Sequence, residues 1–597
     1  MKRHNIKWLT LGTMILASMS GLAACSNNAS KTNKHVHLSQ TYTAPGKATK
    51  AGNKSTLRIA NISSSPFSGV ASPALQTTAQ DVDMFQPGGA GALFNQNKHY
   101  QIIKGGLASL KLNKKNNTAT VTLRKGAKWS NGMKITAKDV EYPYEIIANK
   151  KSKSQQYSTD MNDIKGMAAY HAGKTNKISG ITFPDGPKGR KTLFHFNRLI
   201  PALKYNGNST MWDSVEPYEY LKNIPLDQIQ SSSKARKHPI FTGPYRLKKE
   251  VQGESTNWEP NPYYWGKKPH IKHINIQIVS PSNLSAALKA KKYDFAFGSP
   301  ATQYPRIKSL KDYSEVGTPE LGYSVIGFDL GHLNKSGTSV MDPKSEMANP
   351  NLRKAMLYSL NLNEIAKKFG HGLSYRANTL IPPIYGKYHA SYKSQPGFPY
   401  NMKKARKLLK DTGYKKRNGS KYLSQPNGKK LIIHYGAPQG SAEDDAQDNY
   451  FLQQWRKLGL DAKFTNGRPL EFNSLVATLL KPKQNSINIY RIEFGLNAEP
   501  TPIGFFGDQS NFNMGHFVSK ENNKLMAEMN NKKSFKMPYR IKIFKKWQRY
   551  MNKQAAYAPE FFNITWTPVN HRLKGYSLSP ADNYLWSNLE LTAKSPK

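Results

Sequence analysis

The sequence predicts an α/β protein of two or three domains, on three observations. Strand-like and helix-like hydrophobic periods are interleaved from Thr56 onward. More than 540 residues follow that point, more than one hydrophobic core accommodates. Beyond the first 24 residues no stretch of about 18 consecutive apolar residues occurs, so nothing in the body is expected to cross a membrane.

The elements follow in order. Ser26 to Lys54 is poor in apolar residues and rich in Ser, Asn, Thr, Lys and Gly, the composition of a flexible tether. Its Gly46 to Ser55 stretch lacks the spacing and the preceding strand of a phosphate loop. Thr118–Leu123 alternates around Val121 and Leu123, and Ile274, Ile276 and Ile278 alternate with polar residues; both read as half-buried strands. Asn349 is placed to cap a helix with Pro350 at its first position, and Leu352, Met356 and Leu360 share one face of it. Met402, Ala405, Leu408 and Leu409 form a second stripe, closed by Gly413. Phe451, Trp455 and Leu458 form a third, closed by Gly459. The acids Glu443, Asp444, Asp445 and Asp448 either hold a hard cation or open this third helix, where they complement its dipole.

The amino terminus has its own logic. Lys2, Arg3 and Lys7 precede an uncharged, mostly apolar run from Trp8 to Gly21, followed by Leu22-Ala23-Ala24-Cys25. This is the layout of an export signal, and the run is short for a span of about 20 residues. Leu-Ala-Ala-Cys resembles the lipobox of bacterial lipoproteins. The resemblance implies a signal peptide over 1–24 and lipidation of Cys25 as the new first residue; a plain secretory peptide is the alternative. Cys25 is the only cysteine, so no internal disulfide is available.

Formal charge is +50, from 88 basic and 38 acidic residues, and near +47 without the first 24 residues. Nucleic-acid binding is one use of such a balance. Here the basic residues are mostly Lys and scattered, with no zinc-finger spacing, arginine-rich arm or RNP-like strand. With an export signal in front, the charge reads as a cationic surface facing anionic lipid headgroups and wall polymers.

Five segments then carry a resemblance. They are Val121–Val140 (Val-Thr-Leu-Arg-Lys-Gly-Ala-Lys-Trp-Ser-Asn-Gly-Met-Lys-Ile-Thr-Ala-Lys-Asp-Val), Thr242-Gly-Pro-Tyr-Arg-Leu247, Asn261-Pro-Tyr-Tyr-Trp-Gly266, Asn349-Pro-Asn-Leu-Arg-Lys-Ala355, and Ala405-Arg-Lys-Leu-Leu409 with Gly413-Tyr414. In this order they are similar to the extracytoplasmic solute-binding proteins of the peptide and nickel class, over roughly residues 56–580. Asp83-Met-Phe-Gln-Pro-Gly-Gly89 through Phe94 further resembles Gram-positive oligopeptide-binding lipoproteins. The resemblance implies a periplasmic-binding-protein-like fold (class II, cluster C), with two α/β lobes joined by a hinge plus an extra inserted lobe. It places lobe I at 55–83, 238–318 and 562–597, the inserted lobe II at 84–237 and lobe III at 319–561, behind a lipid-anchored tether over 25–54. It implies capture of oligopeptides between the lobes and delivery to ABC permease subunits. The protein would be a monomer held on the extracellular face of the cytoplasmic membrane, with no cofactor, no metal and no nucleic-acid partner.

For the site, the resemblance points to Ile489–Pro500. Phe494 stands where the family often has Trp, beside Gly495, and Asn497 where it often has the Asp that binds the peptide amine. That departure leaves Glu493 or Glu499 as substitutes, or an unanchored terminus. Arg491 is placed to meet a carboxylate or to serve the strand. Tyr323 and Ser324, in the strand to Phe328, are expected on the cleft wall, and Phe67 in Ser65–Gly69 on its rim.

An enzyme is not indicated. There is no Gly-x-Ser-x-Gly elbow and no His-Glu-x-x-His helix, and the one thiol is Cys25. His270 and His273 flank a strand-like stretch that turns them to opposite faces. Other cargo (nickel, sugar), a pheromone receptor and a cationic adhesin remain as alternatives.

Overall fold

The computed structural model describes residues 35–89, 91–417 and 419–597. The expected signal peptide and Cys25 lie outside the described residues.

Three sheets organise the body. The first, in spatial order, contains 313–319, 561–570, 295–297, 56–62, 273–279, 255–260 and 245–251, with 374–376 pairing onto 561–570. Its centre is parallel: Thr56–Ile62 lies between His273–Val279 and Phe295–Phe297. Parallel strands need cover on both faces, and Leu57, Ile59 and Ala60 are fully buried. The second sheet is antiparallel, 108–113, 118–123, 191–195 and 181–182. Thr118–Leu123 is the strand its alternation predicts, with Ala119, Val121 and Leu123 buried. The third sheet runs 461–464, 432–436, 489–495, 322–328 and 557–559. The first and third sheets are joined by two neighbouring crossings, Pro319 to Gly322 and Pro559 to Phe561.

Apolar burial follows the same division. One core fills the segment from Val70 to Ala235. A second packs Leu57, Phe85, Trp258 and Ile276 around the first sheet. The largest surrounds the third sheet and reaches back to Ala60 and Val279. The predicted helices are present. Asn349 accepts from the Asn351 N–H at 2.9 Å to start Pro350–Tyr358. Met402–Asp411 ends before Gly413, whose φ of 84° is open to glycine. Ala442–Lys457 begins with a Ser441–Asp444 capping box. The acids there open the helix, as one of the two readings held, and Asp448 turns inward instead.

The motif residues interlock. Asn261 donates to the Gly243 carbonyl at 2.8 Å and its own N–H reaches Pro244 O at 2.8 Å. Gly243 N–H donates to Gly88 O at 2.8 Å, and a Cβ on Gly243 would stand 2.5 Å from that oxygen. Ser130, from the Trp-Ser-Asn-Gly turn, exchanges hydrogen bonds with Phe241 at 2.8 and 3.0 Å. Asp139 closes a capping box on Thr136 and also accepts from Tyr218 N–H at 2.8 Å. These segments fasten the second sheet to the first.

One expectation is corrected. From residue 35 the segment expected as a free tether lies on the body. Thr41–Tyr42 pairs with Tyr576–Ser577. Ala44 N–H donates to Leu573 O at 3.0 Å. Lys50–Lys54 is a capped helical turn whose Gly52 is buried against Leu591. His35 stacks on Tyr375 at 4.2 Å. The pairing is mostly through backbone groups, which a polar composition does not preclude.

Candidate binding cleft between the lobes

The strand Ile489–Gly495 supplies the predicted residues, and its pairing with Gly322–Phe328 sorts them onto two faces. Ser324 pairs with Glu493, Tyr323 with Phe494, and Gly322 with Gly495. Side chains alternate between faces along each strand, so Tyr323 and Phe494 share one face while Ser324, Arg491 and Glu493 share the other.

The aromatic face is packed. Tyr323 is fully buried and donates to Leu380 O at 3.2 Å. Phe494 is buried against Tyr323, Phe505, Phe506 and Phe512, with ring centroids 5.3–6.5 Å apart. Phe512 is half exposed at the outer edge of this group. Tyr323 and Phe494 therefore shape the wall from behind rather than lining it.

The polar face is acidic. Arg491 is buried and grips Asp448 with two hydrogen bonds, 3.0 and 3.1 Å, with Asp444 at 3.4 Å. Tyr435 donates to Asp448 at 2.6 Å. Arg491 thus serves its sheet. Glu560, at the second crossing, is fully buried beside this group, and its Oε1 has no hydrogen-bond partner. Burial pushes its carboxyl up to about 8; Arg491 pulls against this, while Asp448, Asp444 and Glu493 add to it. Glu493 is exposed to solvent. Protein on most sides of it displaces bulk water and raises its pKa, and Glu320 adds to the rise. Ser324 is half-buried next to it, and Gly495 faces open space where a Cβ would meet nothing within 4 Å.

Past Gly495 the chain turns inward. Asn497 is exposed, and its carbonyl accepts from the Tyr385 hydroxyl. Glu499 is buried and paired with the Arg540 guanidinium; Thr501 fills its remaining sites through N–H at 2.9 Å and Oγ1 at 2.8 Å. Glu499 is therefore not open to an incoming amine, which corrects its place among the candidates. Phe67 is buried edge-on to Phe85, not on a rim, because Ser68 and Gly69 beside it are tied to Asp81 at 2.6 and 2.9 Å.

Space lies where the three sheets meet. A cavity of about 530 Å³ is walled by Phe94, Asn95, Asn206, Ala498, Tyr584 and Trp586 among others. A second, of about 200 Å³, is walled by His99, Tyr205, Tyr385, Tyr388 and Met537. Tyr100 and Ala498 line both. Sequence reasoning missed these tyrosines, for which neither period nor motif gave a signal. Tyr100 sits at φ 60°, in the left-handed region that few non-glycine residues occupy. Asn97 holds it there by accepting from the N–H groups of His99 and Gln101 at 2.9 and 3.1 Å. The gap is bridged by hydrogen bonds and by ring contacts: Tyr205 and Tyr388 hydroxyls meet at 3.0 Å, Arg540 donates to Tyr388 at 3.3 Å, and Lys114 and Lys204 lie over the Phe535 ring at 4.2 and 5.4 Å. Among the described residues no cluster of three His, Cys, Asp or Glu has the arrangement of a metal site.

The family model described as bacterial extracellular solute-binding proteins, family 5 Middle, matches residues 102–511. The chain belongs to that family. Family 5 is one of binding proteins, so capture rather than catalysis is the task of this chain. The chain is 36% identical to the oligopeptide-binding protein OppA of Lactococcus lactis subsp. cremoris over 596 residues, 99% of each chain. It is 24% identical to the oligopeptide-binding protein AppA of Bacillus subtilis, covering 77% of this chain and 78% of that one. Among solved structures, lactococcal OppA complexed with an endogenous peptide in the closed conformation superposes with a TM-score of 0.81 at 36% identity, over 90% of this chain and all of that chain. NikZ of Campylobacter jejuni, in complex with Ni(L-His), shares the fold at a TM-score of 0.66 and 19% identity, over 90% of this chain and 99% of that one.

Proposed function

We propose that this chain captures oligopeptides in the cleft and hands them to the permease of an ABC importer. The observation that carries the reading is the likeness, along nearly the whole chain, to a closed, peptide-complexed OppA. The cleft suits an extended ligand: Gly495, at the end of a strand pair, faces open space, and three residues further on Ala498 lines two cavities walled in part by tyrosines. The lobes of this reading are 55–83 with 238–318 and 562–597, then 84–237, then 319–561. The protein works as a monomer, lipid-linked through Cys25 on the outer face of the cytoplasmic membrane.

The peptide amine has no fixed partner at Asn497, and Glu499 belongs to Arg540. Glu493, with Glu320 near it, is the carboxylate of the cleft that a ligand's positive charge meets. Native mass spectrometry of protein purified from a peptide-rich culture, followed by denaturation, tests the reading. A ladder of mixed peptides supports it. One defined peptide points to a signalling receptor. No peptide, and no saturable binding when a peptide library is added back, rejects it.

A further inference from the structure

A cavity of about 400 Å³, sharing no lining residue with the two described above, lies among the helices Pro350–Tyr358, Met402–Asp411 and Met537–Gln554. Its walls come from four separate parts of the chain. Lys354 and Tyr358 lie on Pro350–Tyr358, Lys404 on Met402–Asp411, Arg549 and Lys553 on Met537–Gln554, and Phe398 on the loop between. Four cations converge and no Asp or Glu lines the cavity. Beneath them Arg353 is buried and donates only to the backbone carbonyls of Met347, Ala348, Gln554 and Ala555, so it too brings charge without a carboxylate.

The walls are held in place without a ligand. Tyr358 and Phe398 meet edge-on at 5.5 Å. Lys404 donates to the Tyr358 hydroxyl at 2.8 Å and lies over its ring. Asn552 ties the loop down by donating to Asn378 O at 3.0 Å and Gln395 Oε1 at 3.3 Å. Burial, then Arg353, Lys553 and Lys404, lower the pKa of Lys354. Elsewhere on the same helix Lys546 has Glu521 at 2.9 Å, whereas none of the four cations of the cavity has an ion-pair partner among the described residues. Lys354 is half-buried at the base of the cavity, while Lys404, Arg549 and Lys553 are exposed around it; like charges gathered in one concave place repel one another until a multivalent anion compensates them.

We infer that this cavity is a second binding site, separate from the cleft, for a multivalent phosphate-bearing anion. Lysine and arginine are the ordinary partners of phosphate oxygens, and the Tyr358–Phe398 wall takes an apolar or ring-shaped portion beside them. The phosphates come either from a soluble molecule or from lipid headgroups, and the two sources are separable.

The test is calorimetric titration of the full chain with sodium tripolyphosphate. The R549Q/K553Q variant is compared with K289Q/K292Q, which removes the same charge from an exposed turn at the first sheet. Wild type should bind one equivalent saturably, R549Q/K553Q at least tenfold more weakly, and K289Q/K292Q within twofold of wild type. Peptide binding, retained in all three, reports that the fold is intact. Flotation with phosphatidylglycerol or phosphatidylcholine vesicles assigns the source. Capture by the anionic vesicles with the same dependence on Arg549 and Lys553 identifies a headgroup site, and tripolyphosphate binding alone identifies a soluble anion. Equal weakening in both variants, or no saturable binding by wild type, overturns the site.

Discussion

Glu499 and Arg540 are 41 residues apart and meet in the interior. Each neutralises a charge that burial would otherwise leave bare, so truncating one is far costlier than losing a surface pair. Glu499→Ala is expected to cost on the order of 3–5 kcal/mol, read by urea unfolding; a loss below about 1 kcal/mol would mean that Arg540 finds water instead. Glu493 is the opposite case, exposed and without a basic partner among the described contacts. Glu493→Gln should weaken a free-amine peptide by up to about fivefold, the scale of an exposed ion pair, and leave the N-acetylated peptide unchanged in the same calorimetric titration. The sequence brought Arg491, Glu493 and Glu499 forward because they stand on the right segment. It did not show which were already spoken for, since Asp448 and Arg540 lie more than 40 residues away. Phe67 misled for a related reason: a loop after a strand looks like a rim, and only the Asp81 hydrogen bonds show that it is folded under.

At the scale of elements, what local chemistry dictates was legible. The cap at Asn349, the stop at Gly413 and the alternation of Thr118–Leu123 depend on neighbours a few residues away. The packed arm over 35–54 was not legible, because its order comes from partners hundreds of residues off, from Val316 and Gly372 to Leu573 and Leu591. Gly52 is where that dependence is sharpest. A Cβ there would stand 2.3 Å from Leu591 O, against backbone that has no flexible end to move. Gly52→Ala should therefore lift the Lys50–Lys54 turn. Hydrogen exchange would be expected to speed up at Leu591, Ala44 and Ser55 while the third sheet is unaffected.

For the whole molecule, buried carboxyls set a pH dependence. Burial lifts Glu560 and Glu141 to about 8, and Glu216 and Asp329 to about 7. In the unfolded chain they return to ordinary carboxylate values. Between those values the folded state holds more protons, so its stability falls as pH rises. His516 works in the opposite sense, with burial lowering it to about 4, but that contribution is complete above about pH 6.5. The melting temperature should therefore drop from pH 6.5 to pH 8.5, and less steeply in Glu560→Gln; a rise over that window contradicts the assignment. The Tyr205–Tyr388 contact bridges the inserted lobe and the third sheet. Tyr205→Phe removes a hydrogen bond worth about 1 kcal/mol, so peptide should leave roughly fivefold faster in stopped-flow release. The lobed architecture was readable because five motifs recur in order. The structure shows why they carry so much: Ser130 and Gly243 are joints between separate parts of the chain, with no room for a Cβ at Gly243, while Asn261 and Asp139 fix the turns beside them.

The packed arm also sets a distance. If Cys25 is the point of attachment to lipid, the body is fastened again at His35, ten residues on. Even stretched to its limit of about 3.5 Å per residue, that leash is about 35 Å long, shorter than a free tether through Lys54 by nearly two-thirds. A body confined to a half-sphere of that radius is present at its anchor at an effective concentration on the order of 10 mM. Encounter with a permease would then be governed by lateral diffusion of the anchor in the membrane, with little search left to the protein itself.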